Sequence, residues 1–145
     1  MDKIFEPKID KAVILRSILM LIPLPLLVFI AGKWNTEIVI GIFIIQLILL
    51  IPFGIILPLR TTYRVTTNGV LIVPAGVRRI KINIKDITSV KPGHSLNDFL
   101  LNSYVNSLDQ LKLFYKKSSA ITISPIEKAA FIRALQNQNI YIKAE

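Results

Sequence analysis

Residues 38–59, IVIGIFIIQLILLIPFGIILPL, constrain this chain more than any other stretch. They carry no charge, and Gln46 is their one strongly polar side chain. As a helix rising about 1.5 Å per residue they reach roughly 33 Å, against a bilayer hydrocarbon core of about 30 Å. The match predicts a membrane span that runs directly into Arg60-Thr61-Thr62-Tyr63-Arg64, where strand chemistry begins. Residues 12–31, AVILRSILMLIPLPLLVFIA, predict a first span. Arg16 lies about one turn inside it, placed to snorkel. Pro23 and Pro25 predict a kink relieved by a neighbouring helix. A cleaved signal peptide competes for this run, but Phe29 stands where a small residue would be wanted. The short loop 32–37 forces an antiparallel hairpin, with Trp34 suited to the headgroups. Lys3, Lys8, Lys11 and Arg16 precede the turn of the hairpin, Arg60, Arg64, Arg78 and Arg79 follow it, and the loop has only Lys33. Both termini are therefore expected on the cytoplasmic side.

The pattern changes to a period of two after residue 59. Tyr63 and Val65 share one face of a first strand, and Asn68-Gly69 supplies the positive φ angles of a hairpin turn into Val70–Val73. Residues 79–85 alternate, with Ile80, Ile82 and Ile84 inward and Arg79, Lys81 and Lys85 outward. Residues 86–90 continue to a stop at Lys91-Pro92-Gly93. Residues 94–106 fit no clean period. Leu111, Leu113 and Tyr115 form an inward face with Gln110, Lys112 and Phe114 opposite. Ile121 and Ile123 carry the next strand. Ser124-Pro125-Ile126-Glu127 reads as a capping box opening a helix over 125–137, with Ala130, Phe131, Ala134 and Leu135 buried. The expected order is a segment 1–11, the hairpin 12–59, a domain 60–137 of about six short antiparallel strands and one helix, and a tail 138–145.

Tyr63-Arg64-Val65-Thr66 with Gly69-Val70-Leu71-Ile72, then Asp86-Ile87-Thr88-Ser89-Val90, resembles the bacterial pleckstrin-homology-like (PH-like) families. Ser107-Leu108-Asp109-Gln110-Leu111, followed by Ile121-Thr122-Ile123-Ser124-Pro125 and Phe131-Ile132-Arg133-Ala134-Leu135, resembles their YyaB-like branch. The resemblance implies an α+β membrane protein. In it, a two-helix transmembrane hairpin precedes a curled antiparallel sheet or barrel closed by a C-terminal helix, in the inner membrane. It implies no general activity. The turn Thr67-Asn68-Gly69 lacks the flanking cations of phosphoinositide-binding relatives, which argues against specific inositol-phosphate capture.

The chain has no cysteine and one histidine, His94, so no catalytic, cofactor or metal residue is assigned. Ser95, Ser103 and Ser107 have no base partner except His94. Asp86 and Asp109 read as turn acids satisfying backbone donors. From Arg60 onward there are 13 Lys/Arg and five Asp/Glu. The basic face Arg78, Arg79, Lys81, Lys85 and Lys91 is the candidate binding surface for a protein partner or weakly for anionic lipid, weighed against a solvated strand edge. Nucleic acid is disfavoured, because no exposed aromatics interleave the cations. The expected function is a membrane-anchored, non-enzymatic binding or scaffold module that engages a protein partner or its own copies, with lipid contacts through the hairpin. The alternative is a small transporter- or stress-associated component whose hairpin does the work, resting on Gln46, Arg16 and the paired prolines.

Overall fold

The computed structural model describes residues 2–11, 13, 16, 17, 26, 36–50, 56, 61–75, 78–102, 104–116 and 118–144. Two four-stranded sheets form its framework. The first, in the order β1-β2-β3-β4, comprises β1 (Lys3–Phe5), β2 (Tyr63–Val65), β3 (Val70–Ala75) and β4 (Arg78–Asn83), all antiparallel. The second runs β7-β6-β5-β8, with β5 (Ile87–Gly93), β6 (Gln110–Tyr115), β7 (Ser119–Ile123) and β8 (Lys143–Ala144). In it, β8 pairs parallel to β5. Helix α1 covers Thr36–Leu50, α2 covers Leu96–Leu101 and α3 covers Lys128–Gln136.

The β2–β3 turn meets the Asn-Gly expectation at Gly69 but not at Asn68, which does not take a positive φ. Gly69 takes φ 74°, a left-handed conformation that costs glycine little. Thr66 N donates to the Val70 carbonyl at 2.9 Å, closing the turn. The alternation after Arg78 also holds for the isoleucines, with Ile82 and Ile84 buried and Ile80 half-buried. The strand itself stops at Asn83, whose side chain accepts from Lys85 N at 3.1 Å and starts a 3-10 turn over Ile84–Asp86. That turn carries the chain from the first sheet to the second. The expected single curled sheet or closed barrel is therefore corrected to two separate sheets, because the ladder breaks at Asn83 instead of curling through it.

The transmembrane expectation is corrected too. Helix α1 has 15 residues, about 22 Å at 1.5 Å per residue, which falls short of a hydrocarbon core of about 30 Å. Among the described residues no helix is long and apolar enough to cross a membrane. This overturns the two-span hairpin and the multi-pass placement in the inner membrane built on it. Of the expected first span, only 13, 16, 17 and 26 are described; Pro23 and Pro25 lie outside the described residues, as does the expected continuation past Leu50 apart from Ile56. Arg16 does not snorkel. It is 4% exposed, and its Nη1 donates to the carbonyls of Phe99 at 2.8 Å, Val105 at 3.2 Å and Asn102 at 3.4 Å. Its guanidinium lies 5.2 Å from the Phe99 ring centroid. It thus serves the carbonyls at the end of α2, where a cation is favoured. Gln46 is half-buried on α1.

The segment 1–11 contributes a strand and a bridge to the fold. On one side β1 pairs with β2 in the register Phe5↔Tyr63. On the other, Lys8 N donates to the Ser124 carbonyl at 2.6 Å and Ile126 N to the Glu6 carbonyl at 3.0 Å, around a Pro7↔Pro125 bridge. This strap joins the first sheet to the end of β7. Phe5 enters the core edge-on to Phe131, with centroids 5.1 Å apart. Tyr63, itself fully buried, meets the same ring at 6.4 Å.

The strap also displaces the expected capping box. Helix α3 starts at Lys128 with Glu127 at its N-cap and no side-chain capping bond. Ser124 is fully buried, and its Oγ accepts from Asn106 N at 3.0 Å. Its amide donates to the Tyr63 hydroxyl at 3.1 Å, and that hydroxyl donates to the Tyr104 carbonyl at 2.7 Å. The buried stripe of α3 is Phe131, Ala134 and Leu135, with Ala130 half-buried. In the tail, Ile142 is buried, while Ile140 and Tyr141 are exposed.

Phe5→Ala should destabilise the chain by about 3–5 kcal/mol, the cost of removing a core phenylalanine. Ile4→Ala, one residue away and 57% exposed, should stay within about 0.5 kcal/mol. Urea denaturation of both variants checks this. Equal midpoints for the two would show that the strap contributes no core.

Candidate binding surface

Strand β4 is the outer strand of the first sheet, and no described strand pairs with its far side. An open edge keeps its amides and carbonyls available, and proteins commonly guard such edges with charge. Here Arg78 stands opposite Ala75, Arg79 opposite Pro74 and Lys81 opposite Ile72. All three cations are exposed. The cross-strand row Ile4–Arg64–Ile72–Lys81 shows that Arg64, also exposed, shares the face of Lys81. Residues 61–85 contain the cations Arg64, Arg78, Arg79, Lys81 and Lys85 and no acid. Among the described residues, neither ion pair involves this face.

A shallow cleft of about 130 Å³ opens on this face, lined by Thr62, Arg64, Ile72, Pro74 and Arg79. Its cause is local. Pro74 lies beyond the β2–β3 ladder, where β2 has not yet begun, and a proline cannot donate a ladder bond. Ile72 and Pro74 form an apolar floor between two guanidinium groups.

The five residues expected to form one basic face are divided by the structure. Arg78, Arg79 and Lys81 stay together on β4. Lys85 moves onto the 3-10 turn, where it borders a different cleft with Gly69 and Gln138. Lys91 lies in the second sheet, half-buried and opposite Lys112. Arg64 was not assigned from sequence. Its place in the inward-outward alternation, between the buried Tyr63 and Val65, was the signal that could have found it.

The acids expected in turns behave differently from one another. Asp86 contributes its carbonyl to Lys116 N at 3.0 Å. Asp109, instead of serving backbone donors, accepts from Lys8 Nζ at 2.9 Å and from Lys128 Nζ. The hydrogen bond from Lys128, then that from Lys8, holds its carboxyl below the ordinary carboxylate value. The bond to Asp109 in turn raises Lys8. Asp10 accepts from Ser107 Oγ at 2.5 Å and from Leu108 N at 3.3 Å. The Ser107-Leu108-Asp109 motif is thus the polar seat of the strap. Gln110, expected to face outward, is fully buried. Its Oε1 accepts from Ser95 N at 2.8 Å, and its Nε2 donates to the Ser95 and Ser107 carbonyls, both at 3.0 Å. Ser95 caps α2 through Asp98 N at 3.1 Å. His94 is exposed, with Nδ1 3.0 Å from the Leu108 carbonyl. Ser103 lies outside the described residues.

A bacterial PH domain family profile matches residues 61–139, more than half of the chain. The chain belongs to the bacterial PH domain family. No curated protein and no solved structure matches it. Within this PH domain, the matched region contains both clefts described above and β2 to β7, while the strap that completes the first sheet lies outside it.

The depressed carboxyl of Asp109 gives stability that is complete above the ordinary carboxylate range and is lost as pH falls through its lowered value. Acid should therefore loosen the strap, and Asp109→Asn should remove that part of the pH dependence. Thermal melting between about pH 2 and 5 reads the difference. Parallel curves for the two proteins would show that the Lys8–Asp109–Lys128 cluster does not hold the strap.

Proposed function

We propose that this PH domain is a non-enzymatic binding module that takes an extended, acidic protein segment along β4. One observation carries the reading: no described strand pairs with the outer edge of β4, and its exposed cations Arg78, Arg79 and Lys81 are not neutralised by any described acid. Strand addition supplies affinity through main-chain hydrogen bonds, and side-chain pockets supply selectivity. The apolar floor of Ile72 and Pro74 takes an aliphatic side chain, and Arg64 and Arg79 take carboxylates on either side.

The test uses the full chain and two fluorescein-labelled peptides, one alternating glutamate and valine, the other lysine and valine. The Glu–Val peptide should bind, and binding should fade as salt shortens the Debye length from about 10 Å at 0.1 M to about 3 Å at 1 M. Arg79→Glu with Lys81→Glu should abolish binding without loss of fold, since both side chains are exposed. Methylating the peptide amides should also abolish it, because charge alone would survive that change. Equal binding of the two peptides would overturn the reading. Binding of anionic vesicles with no binding of the Glu–Val peptide would replace it with a lipid surface.

A further inference from the structure

The N-terminal arm, residues 2–17, lies on the PH domain as a bound peptide would. The domain itself begins at residue 61. Asp2 accepts from Thr67 N at 3.0 Å. Strand β1 pairs with β2, and Phe5 sits beside Phe131. Lys8 bonds the Ser124 carbonyl through its amide and Asp109 through its ammonium group. Asp10 N donates to the Asn106 carbonyl at 3.0 Å. Further along, Val13 packs with Phe99 and Val105, and Arg16 donates to the carbonyls of the same two residues. Each of these contacts joins the arm to a residue at 61 or later. Residues 18–60 connect the two parts. With α1 helical and the rest extended, that connection reaches on the order of 100 Å, far enough to pass from one copy to another. It also carries an apolar surface, because Ile38, Ile40, Phe43, Ile44, Ile45 and Ile48 of α1 are 44% to 64% exposed.

We propose that two copies of this chain exchange their arms, each laying residues 2–17 in the groove of the other. The proposal goes beyond the β4 reading and does not rest on it. Every arm contact above survives the exchange, since it depends on the arm and the groove and not on which copy supplies them. Exchange of an identical element is for that reason a low-cost route to dimers. The long connection reduces the preference for the chain's own arm, because closure entropy grows with loop length. The pair gains at α1, where each exposed apolar helix acquires a like neighbour to cover it. In the exchanged pair neither groove is complete alone, because the Phe5 beside each Phe131 comes from the other copy.

Thiol trapping tests this. Ile4 and Arg64 stand opposite each other in the β1–β2 register, and both are exposed. Residues so placed on antiparallel strands have Cα atoms about 4.5–5.5 Å apart, within the span of a disulfide. The chain has no cysteine, so Ile4→Cys and Arg64→Cys each give one thiol on the full chain. The two single variants are unfolded together in urea, refolded, oxidised and separated without reductant. A control mixture pairs Ile4→Cys with Ser118→Cys, an exposed position outside the β1–β2 ladder. Exchange holds Ile4→Cys against Arg64→Cys at high effective concentration, so that mixture should give about tenfold more disulfide-linked heterodimer than the control. Adding Phe5→Ala to the Ile4→Cys chain should lower the yield, because that arm loses its seat beside Phe131. The double variant carrying Ile4→Cys and Arg64→Cys should oxidise to a covalent dimer. Heterodimer at the control level overturns the proposal, and so does a double variant that closes as a monomer or forms no disulfide.

Discussion

Main-chain hydrogen bonds on both sides of one short segment hold this domain together. Between Phe5 and Pro7 the strap pairs with β2 on one flank and with the chain after β7 on the other. It bridges the first sheet to the chain just after β7 of the second. Its docking places Phe5 against Phe131, and the same ring packs on Tyr63, whose hydroxyl serves Ser124 and Tyr104. Core packing, the buried polar network and the sheet junction therefore meet at one place. Losing the strap would leave an aromatic face bare and buried carbonyls unpaired, and each unpaired buried group costs about 1–3 kcal/mol.

The surface follows from that frame. With one edge of the first sheet occupied by the strap, β4 is left as the outer strand, and its cations discourage indiscriminate edge pairing. The same charges select what can pair. A guarded edge and a selective edge are one physical object, and the chemistry of the incoming segment decides between them. The proline in β3 adds to this by ending the ladder early and opening an apolar floor between two arginines.

Local chemistry was the legible part of the sequence. Asn68-Gly69 announced its hairpin, and the isoleucines after Arg78 announced their face. Phe131 and Leu135 announced the buried side of α3. What escaped depended on distant partners. Lys3-Ile4-Phe5 carries too little pattern to read as a strand, and its pairing partner follows only after residues 6–62 intervene. Ser124 has the right chemistry for a helix cap, yet burial beside Tyr63 gives its hydroxyl a stronger claim elsewhere. Gln110 alternates outward by pattern but turns inward because Ser95 and Ser107 satisfy its amide. The apolar stretch after residue 38 matches a bilayer by length and composition, but α1 as described ends at Leu50, and length is the property that a crossing requires. Of the candidate site, the β4 cations were legible from alternation alone. The separation of Lys85 and Lys91 was not, because it follows from a 3-10 turn nucleated by the Asn83 side chain.

The strap also sets an order in time. Chains are made from the N-terminus, so Phe5 leaves the ribosome long before Tyr63 and longer still before Ser124-Pro125-Ile126. At about 5–20 residues per second, the first strand waits on the order of ten seconds for its second flank. Through that interval its second flank is unpaired and the core lacks a wall. The strap is seated on both flanks only once residues 124–126 have been made, so a nascent chain that stops before them holds it on one side alone.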